Sequence, residues 1–259
     1  MSELASEIMT LSGGWAWVLV AVFLRIGAAM ALLPAFGEHM VPIRIKLALA
    51  IAFTIIVAPA VVPIIDLPEP SLPALVRLAA SETICGLALG IAIRMMVWLL
   101  QVAGSIAAQS TSLAQILGAT GVDPQPAISQ LLVISGLALA CATGLHVRMA
   151  ETLIVSYEVM SIGQFPVASD MSRWGVGLVA HMFSTAFTFA APFVIASLIY
   201  NVALGVINRA MPQLMVAFVG APAITAGGLI LLLLTAPLVL SLWLEALHLR
   251  LANPFGALP

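Results

Sequence analysis

Arg25, Glu82 and Arg94 stand inside apolar runs of this sequence. A charge at mid-bilayer costs about 2.5–3.5 kcal/mol on insertion scales, so such residues face protein or a water-filled path. They could form an ion pair, a proton relay or a solute site. Glu82 and Arg94 are twelve residues apart, about 18 Å on one straight helix at 1.5 Å per residue, which excludes a pair between them. Glu82 can meet Arg25 only across two helices. The alternative is that each charge lies at an interface or snorkels to a headgroup, and for Arg94 that is the preferred reading. Asn201 and Asn208 are seven apart, hence on one helical face, and Arg209 follows directly. Amides in apolar helices need partners, often from other helices, and Gly86-x-x-x-Gly90 permits close helix approach.

Other chemistry is thin. His39, His146, His181 and His248 share no short metal-type spacing. Glu245 and His248 resemble half of a metal site with no second half. There is no P-loop, dinucleotide fingerprint or nucleophile elbow. The expectation is therefore a non-enzyme with no cofactor and no metal. Cys85 and Cys141 lie in apolar runs and read as buried thiols, not as a disulfide framework. The methionines read mainly as filler, a minority being suited to the soft lining of a gate.

The elements that must carry these residues follow from composition. Of 259 residues, 63% are hydrophobic and only 8% charged. The mean hydropathy is +1.18. Soluble domains run at roughly 45–50% apolar and about 25% charged. A free soluble enzyme and a disordered chain are both excluded. Nine basic residues and a net charge of −2 leave no basic stripe for nucleic acid. The chain reads as an all-α polytopic membrane protein. Glu3 and Glu7, with no Lys or Arg beside them, do not make a cleavable signal peptide, so Trp15 to Phe36 is expected to stay as a span.

Six long apolar segments are marked at about Trp15–Leu33, Ile43–Ile65, Leu75–Ala103, Ile128–Leu145, Val176–Ile207 and Leu214–Leu247. A span needs about 17–25 apolar residues, and the fourth segment is near the lower limit. Pro192, Pro222 and Pro237 predict bent or broken helices in the last two. Asp66 to Pro73 is a Pro-rich link that cannot be helical. Gly104 to Ala127 is a long link rich in small and polar residues. Between His146 and Gly175, the positions Arg148, Glu151, Val155 and Glu158 share one helical face, with Ile154, Tyr157 and Met160 on another. That predicts an amphipathic helix, at a membrane interface or against a partner. Basic residues tie at four on each side of six alternating spans, so charge gives no orientation.

Taken together, the sequence resembles the FliR/SctT family of type III export-gate subunits. Asn201-Val202-Ala203-Leu204-Gly205-Val206-Ile207-Asn208-Arg209-Ala210-Met211-Pro212-Gln213-Leu214 resembles the family's N-x-A-L-G-x-x-N-R-x-x-P-Q-L motif, followed by Phe218, Gly220 and Pro222, similar to its F-x-x-G-x-P but with one residue fewer between Phe and Gly. Arg25, Pro34 and Val41-Pro42-x-Arg44-x-Lys46 are similar to its opening pattern, and Glu82, Gly86 and Gly90 to its third-helix E-x-x-x-G-x-x-x-G. The likeness runs over nearly the whole chain and is loose between about residues 106 and 175. Asn201 and Ala223 favour the flagellar branch over the injectisome, which tends to carry an acidic residue and a Lys at those positions.

The resemblance implies a subunit that joins FliP and FliQ in a closed helical assembly around a channel, with FlhB and FlhA as further partners. It implies a bacterial inner-membrane location at the flagellar basal body, and unfolded flagellar proteins as the cargo. Residues 1–175 would be a FliP-like part and 176–259 a FliQ-like hairpin. A loop at about residues 106–122 would plug the closed channel, with Gln109, Leu113, Ile116 and Leu117 in it. The rival reading from another class is a small-solute secondary transporter using Arg25 and Glu82. Its weakness is that the helix breaks cluster at one end and not in two equivalent halves. A purely structural membrane scaffold is a third reading.

Overall fold

The computed structural model describes residues 2–37, 41–111, 126–211 and 216–256; side chains are described from residue 14 onward, and not for 216–219 or 221. It contains α1 (Ser2–Met30), α2 (Ile43–Val61), a 3-10 turn (Val62–Ile64), α3 (Leu72–Thr111), α4 (Ala127–Ala142), α5 (Leu145–Val159), α6 (Ala168–Ala210) and α7 (Val216–Ala252). No strand occurs among the described residues, as expected for an all-α membrane protein. The six apolar segments fall in α1, α2, α3, α4, α6 and α7. The amphipathic stretch forms a further helix, α5.

Four of the described helices are long and apolar enough to cross a membrane, or five if α4 and α5 count as one bent span. Within α1 the 17-residue apolar stretch Gly14–Met30 carries the first segment, and the helix gives way to turns around Pro34. At 40 and 43 residues, α3 and α6 are about twice the roughly 20 residues that a simple span requires.

Three expectations about the connections are corrected. Pro73 does not belong to the link before α3. It sits in the first turn, where its missing N–H costs nothing, and the Ser71 hydroxyl caps the helix by accepting the Ala74 N–H at 3.3 Å. The link expected from Gly104 is helical as far as Thr111. Its small polar residues do not break the helix. The hydroxyls of Ser105, Ser110 and Thr111 donate back to the carbonyls of Gln101, Ile106 and Ala107 at 2.8, 2.8 and 3.1 Å. Finally, Pro192, Pro222 and Pro237, expected to bend or break the last two segments, do not break them: α6 and α7 run on through them. The interruption falls instead before α5, at Gly144, which has φ +85°.

The chain forms two compact units, 1–95 with 141–178 and 247–259, and 96–140 with 179–246. In the first unit, α2 packs against α1 and α5. The Phe36 and Phe53 rings meet edge to face at 6.0 Å. α5 buries Leu145, Met149, Thr152, Leu153, Ser156 and Tyr157, a 3.6-residue periodicity. Arg148, Glu151 and Glu158 point out, as the pattern predicts. The buried face of α5, however, is used within the chain and not at a bilayer surface. Arg250, wholly buried, donates to the Pro254 and Gly256 carbonyls at 3.1 and 3.2 Å and folds the segment after α7 back on itself.

The second unit is centred on Ala107, Leu132, Phe193 and Leu232. Trp243 is fully buried and donates its indole N–H to the Met96 carbonyl at 2.6 Å. A Cβ at Gly104 would overlap the Ser129 backbone, so α3 and α4 approach closely there, and the Ser129 hydroxyl donates to the Gln101 carbonyl at 2.9 Å. Both cysteines are free; Cys85 is buried as expected, but Cys141 is exposed.

Candidate functional site

The structure joins Arg25 of α1 to Glu82 of α3 in the first unit. Arg25 Nε donates to Glu82 Oε2 at 2.7 Å, and both side chains are completely buried. The remaining faces of the guanidinium are also occupied. Nη1 donates to the carbonyl and the hydroxyl of Ser156 at 3.0 and 3.2 Å, and Nη2 donates to the Met160 carbonyl at 2.8 Å. The Tyr157 ring stacks on the cation, 3.8 Å from Cζ to the ring centroid. The second carboxylate oxygen of Glu82 accepts the Gly163 N–H at 2.9 Å. A buried charge is tolerated only when paired and hydrogen-bonded, and both conditions are met here.

Gly163 explains part of this geometry. Its φ is +71°, a left-handed conformation that glycine adopts without penalty. That turn aims its amide at Glu82, while its carbonyl accepts from Arg77 Nε at 3.1 Å. The node thus fixes α1, α3, α5 and the turn after α5 together. Arg94 is half-buried, twelve residues along α3 from Glu82.

Gly86 and Gly90 extend the same contact. A Cβ at Gly86 would overlap the Arg25 carbonyl, and one at Gly90 would lie 2.9 Å from the Ala29 carbonyl and from Leu32 Cβ. The Glu82, Gly86, Gly90 pattern is one face of α3 laid against α1. Near this seam, Pro42 opens α2 by accepting the Ile45 N–H at 2.9 Å, Lys46 Nζ reaches back to the Gly37 carbonyl at 3.0 Å, and Arg44 is exposed.

The motif at the end of α6 is arranged differently. Asn201, Gly205, Asn208 and Arg209 are all exposed. Asn201 Nδ2 donates to the Ser197 hydroxyl at 3.1 Å, and a Cβ at Gly205 would meet nothing within 4 Å. In its most apolar stretch α6 buries only 11% of its residues, against 61% for α3. Pro222 is exposed on α7, and Phe218 lies in its first turn. Pro212 and Gln213 fall outside the described residues. Of the plug residues, Gln109 is exposed on α3, so it belongs to a helix and not to a loop; Leu113, Ile116 and Leu117 lie outside the described residues.

Sequence reasoning missed Ser156, Tyr157, Met160, Gly163 and Arg77. The amphipathic pattern of α5 placed Tyr157 and Met160 on one face but gave no sign of what that face covers. Nothing in the local sequence marks Gly163 as a ligand of Glu82.

A sequence model of the family described as bacterial export proteins, family 1, matches residues 16–249, almost the whole chain. The chain belongs to this export-protein family. Relatives carry the name flagellar biosynthetic protein FliR. That of Caulobacter vibrioides is 30% identical over 231 residues, covering 88% of this chain and 92% of the relative. Those of Escherichia coli K12 and Bacillus subtilis are each 29% identical, over 221 and 222 residues. They cover 83% and 82% of this chain, and 83% of each relative. Membership of the export family fits the long apolar helices and gives the all-α membrane architecture its context. The matched region takes in the Arg25–Glu82 node, the glycine seam and the exposed α6 motif.

Proposed function

We propose that this chain is a channel subunit of the flagellar type III protein export gate. With FliP and FliQ it would form the pore through which unfolded flagellar proteins leave the cell, in the inner membrane at the basal body, alongside FlhB and FlhA. The observation that carries the reading is the contrast between two motifs. The Glu82–Gly90 motif is consumed inside the chain, at the α1–α3 seam. The Asn201–Arg209 motif is left on the surface of a helix that the chain itself scarcely covers. Exposed amides on an apolar helix call for hydrogen-bonding neighbours, and other helices supply them. The FliP-like part is assigned to residues 1–175 and the FliQ-like hairpin to 176–259, the latter holding the exposed motif.

The transporter reading loses its main support. Arg25 and Glu82 have their hydrogen-bonding groups turned to one another, to the backbone and to Ser156, with no accessible surface left for a solute. Their role is to hold the fold.

Affinity purification of the tagged chain from its native membrane, followed by mass spectrometry, tests the assembly. FliP and FliQ are expected in one large complex, and a free monomer or simple homodimer across several mild detergents would refute the reading. Arg209→Ala is expected to reduce recovery of that complex more than it reduces the amount of inserted chain. Undiminished recovery would remove the motif from the partner contact.

Closure is assigned to the part of the expected link that follows α3, at about residues 112–122, with Leu113, Ile116 and Leu117 packing in the channel. Deleting residues 110–120 is expected to make membranes leak ions while assembly persists. Normal conductance with normal assembly would count against a plug.

A further inference from the structure

A cavity of about 250 Å³ lies within the second unit, between α6, α7 and the last residue of α3. Two glycines shape it. A Cβ at Gly227 would meet nothing within 4 Å, and Gly228 lies flat against the Thr111 side chain. Phe193, Ile224 and Leu231 form its walls, and among the described residues no acidic or basic side chain lines it. Its hydroxyls are already engaged inside the chain. Thr111 donates to the Ala107 carbonyl at 3.1 Å, Tyr200 donates to the Gly220 carbonyl at 2.7 Å, and the Ser197 oxygen accepts from Asn201 at 3.1 Å. An occupant therefore gains mainly dispersion contacts.

The residues that bound the cavity on its open side, Ile230 and Leu234, are 60% and 70% exposed. They belong to a helix long and apolar enough to cross a membrane. The volume is below the roughly 300–1,000 Å³ of sites for drug-sized molecules, so it holds part of one acyl chain. We infer that this cavity takes an acyl chain of a bilayer phospholipid. Hydrocarbon has no hydrogen bonds to give up on entering, and it is the solvent that a membrane presents to this face. The inference requires only that α6 and α7 lie in a membrane, and it stands apart from the channel reading above.

The test uses the full chain in vesicles of phosphatidylethanolamine and phosphatidylglycerol, a fraction of which carry a photoactivatable diazirine in the acyl chain. After irradiation, adducts are mapped by peptide mass spectrometry. Label is expected on the cavity walls Phe193, Ile224 and Leu231 as well as on Leu233, which is 75% exposed and outside the cavity. Gly227→Leu fills the cleft and should lower wall labelling several-fold while Leu233 labels as before; Gly227→Ala should lower it less. Label confined to Leu233 in the unaltered chain would overturn the inference, since protein and not lipid would then fill the cavity. Unchanged wall labelling in a folded Gly227→Leu chain would overturn it too. Should the leucine variant fail to fold, the unaltered chain and Gly227→Ala decide the matter.

Discussion

Glu82→Ala is expected to lower folding stability by about 3–5 kcal/mol, and Arg25→Ala by a similar amount. The reason is what stays behind. Removing the carboxylate leaves a guanidinium at 0% exposure with only neutral partners, and it also orphans the Gly163 amide. Removing the guanidinium leaves a buried carboxylate and frees the carbonyls of Ser156 and Met160. Glu82→Gln keeps an acceptor for Gly163 and loses only the charge, so it should fall between Glu82→Ala and the unaltered chain. Replacing both residues with leucine leaves neither charge, so its cost should be smaller than the sum of the single changes. The measurement is a double-mutant cycle on thermal unfolding in detergent, with the amount of folded chain in membranes as a second readout. Simple additivity would show that the pair is not coupled.

Gly86→Val should be the next most damaging change. The new Cβ would coincide with the Arg25 carbonyl, which is backbone and cannot swing aside. Helices α1 and α3 must then part. Overpacking alone costs about 1–3 kcal/mol. Here the displaced residue is also the one whose side chain makes the 2.7 Å bond to Glu82, so the damage reaches the ion pair. Gly86→Val and Glu82→Ala should therefore be less than additive. Gly205→Ala is the internal control. Its Cβ has open space within the chain, and a glycine-to-alanine change in a helix gains roughly 0.5–1 kcal/mol. A melting experiment in which Gly86→Val behaves like Gly205→Ala would show that the seam is not tightly packed.

Much of the node was legible because membrane helices punish charge. Two opposite charges in apolar runs, with the same-helix alternative excluded by distance, leave few arrangements, and Arg25 with Glu82 is one of them. The glycine spacing was legible for a related reason: residues four apart fall on one helical face. Tyr157 and Gly163 were not legible, because their roles depend on where α5 packs, and local pattern cannot supply that. The end of α3 was not legible because a stretch rich in small and polar residues reads as a link. Their hydroxyls instead bond the preceding turn. Of the two outcomes expected at the prolines, a break does not occur. In long apolar helices, neighbouring groups can make good the lost backbone bond, and the helices run on through Pro192, Pro222 and Pro237.

The bare flank of α6 has a consequence for the life of the chain in the cell. Leu198, Ile199 and Val202 can face hydrocarbon at little cost, but Asn201 and Asn208 on the same helix cannot. A newly made copy that has found no partner therefore carries exposed amides on an otherwise greasy surface, with Asn201 meeting only the Ser197 hydroxyl. Surplus copies should be short-lived, and the cellular amount of this chain should follow the supply of whatever shields those two amides.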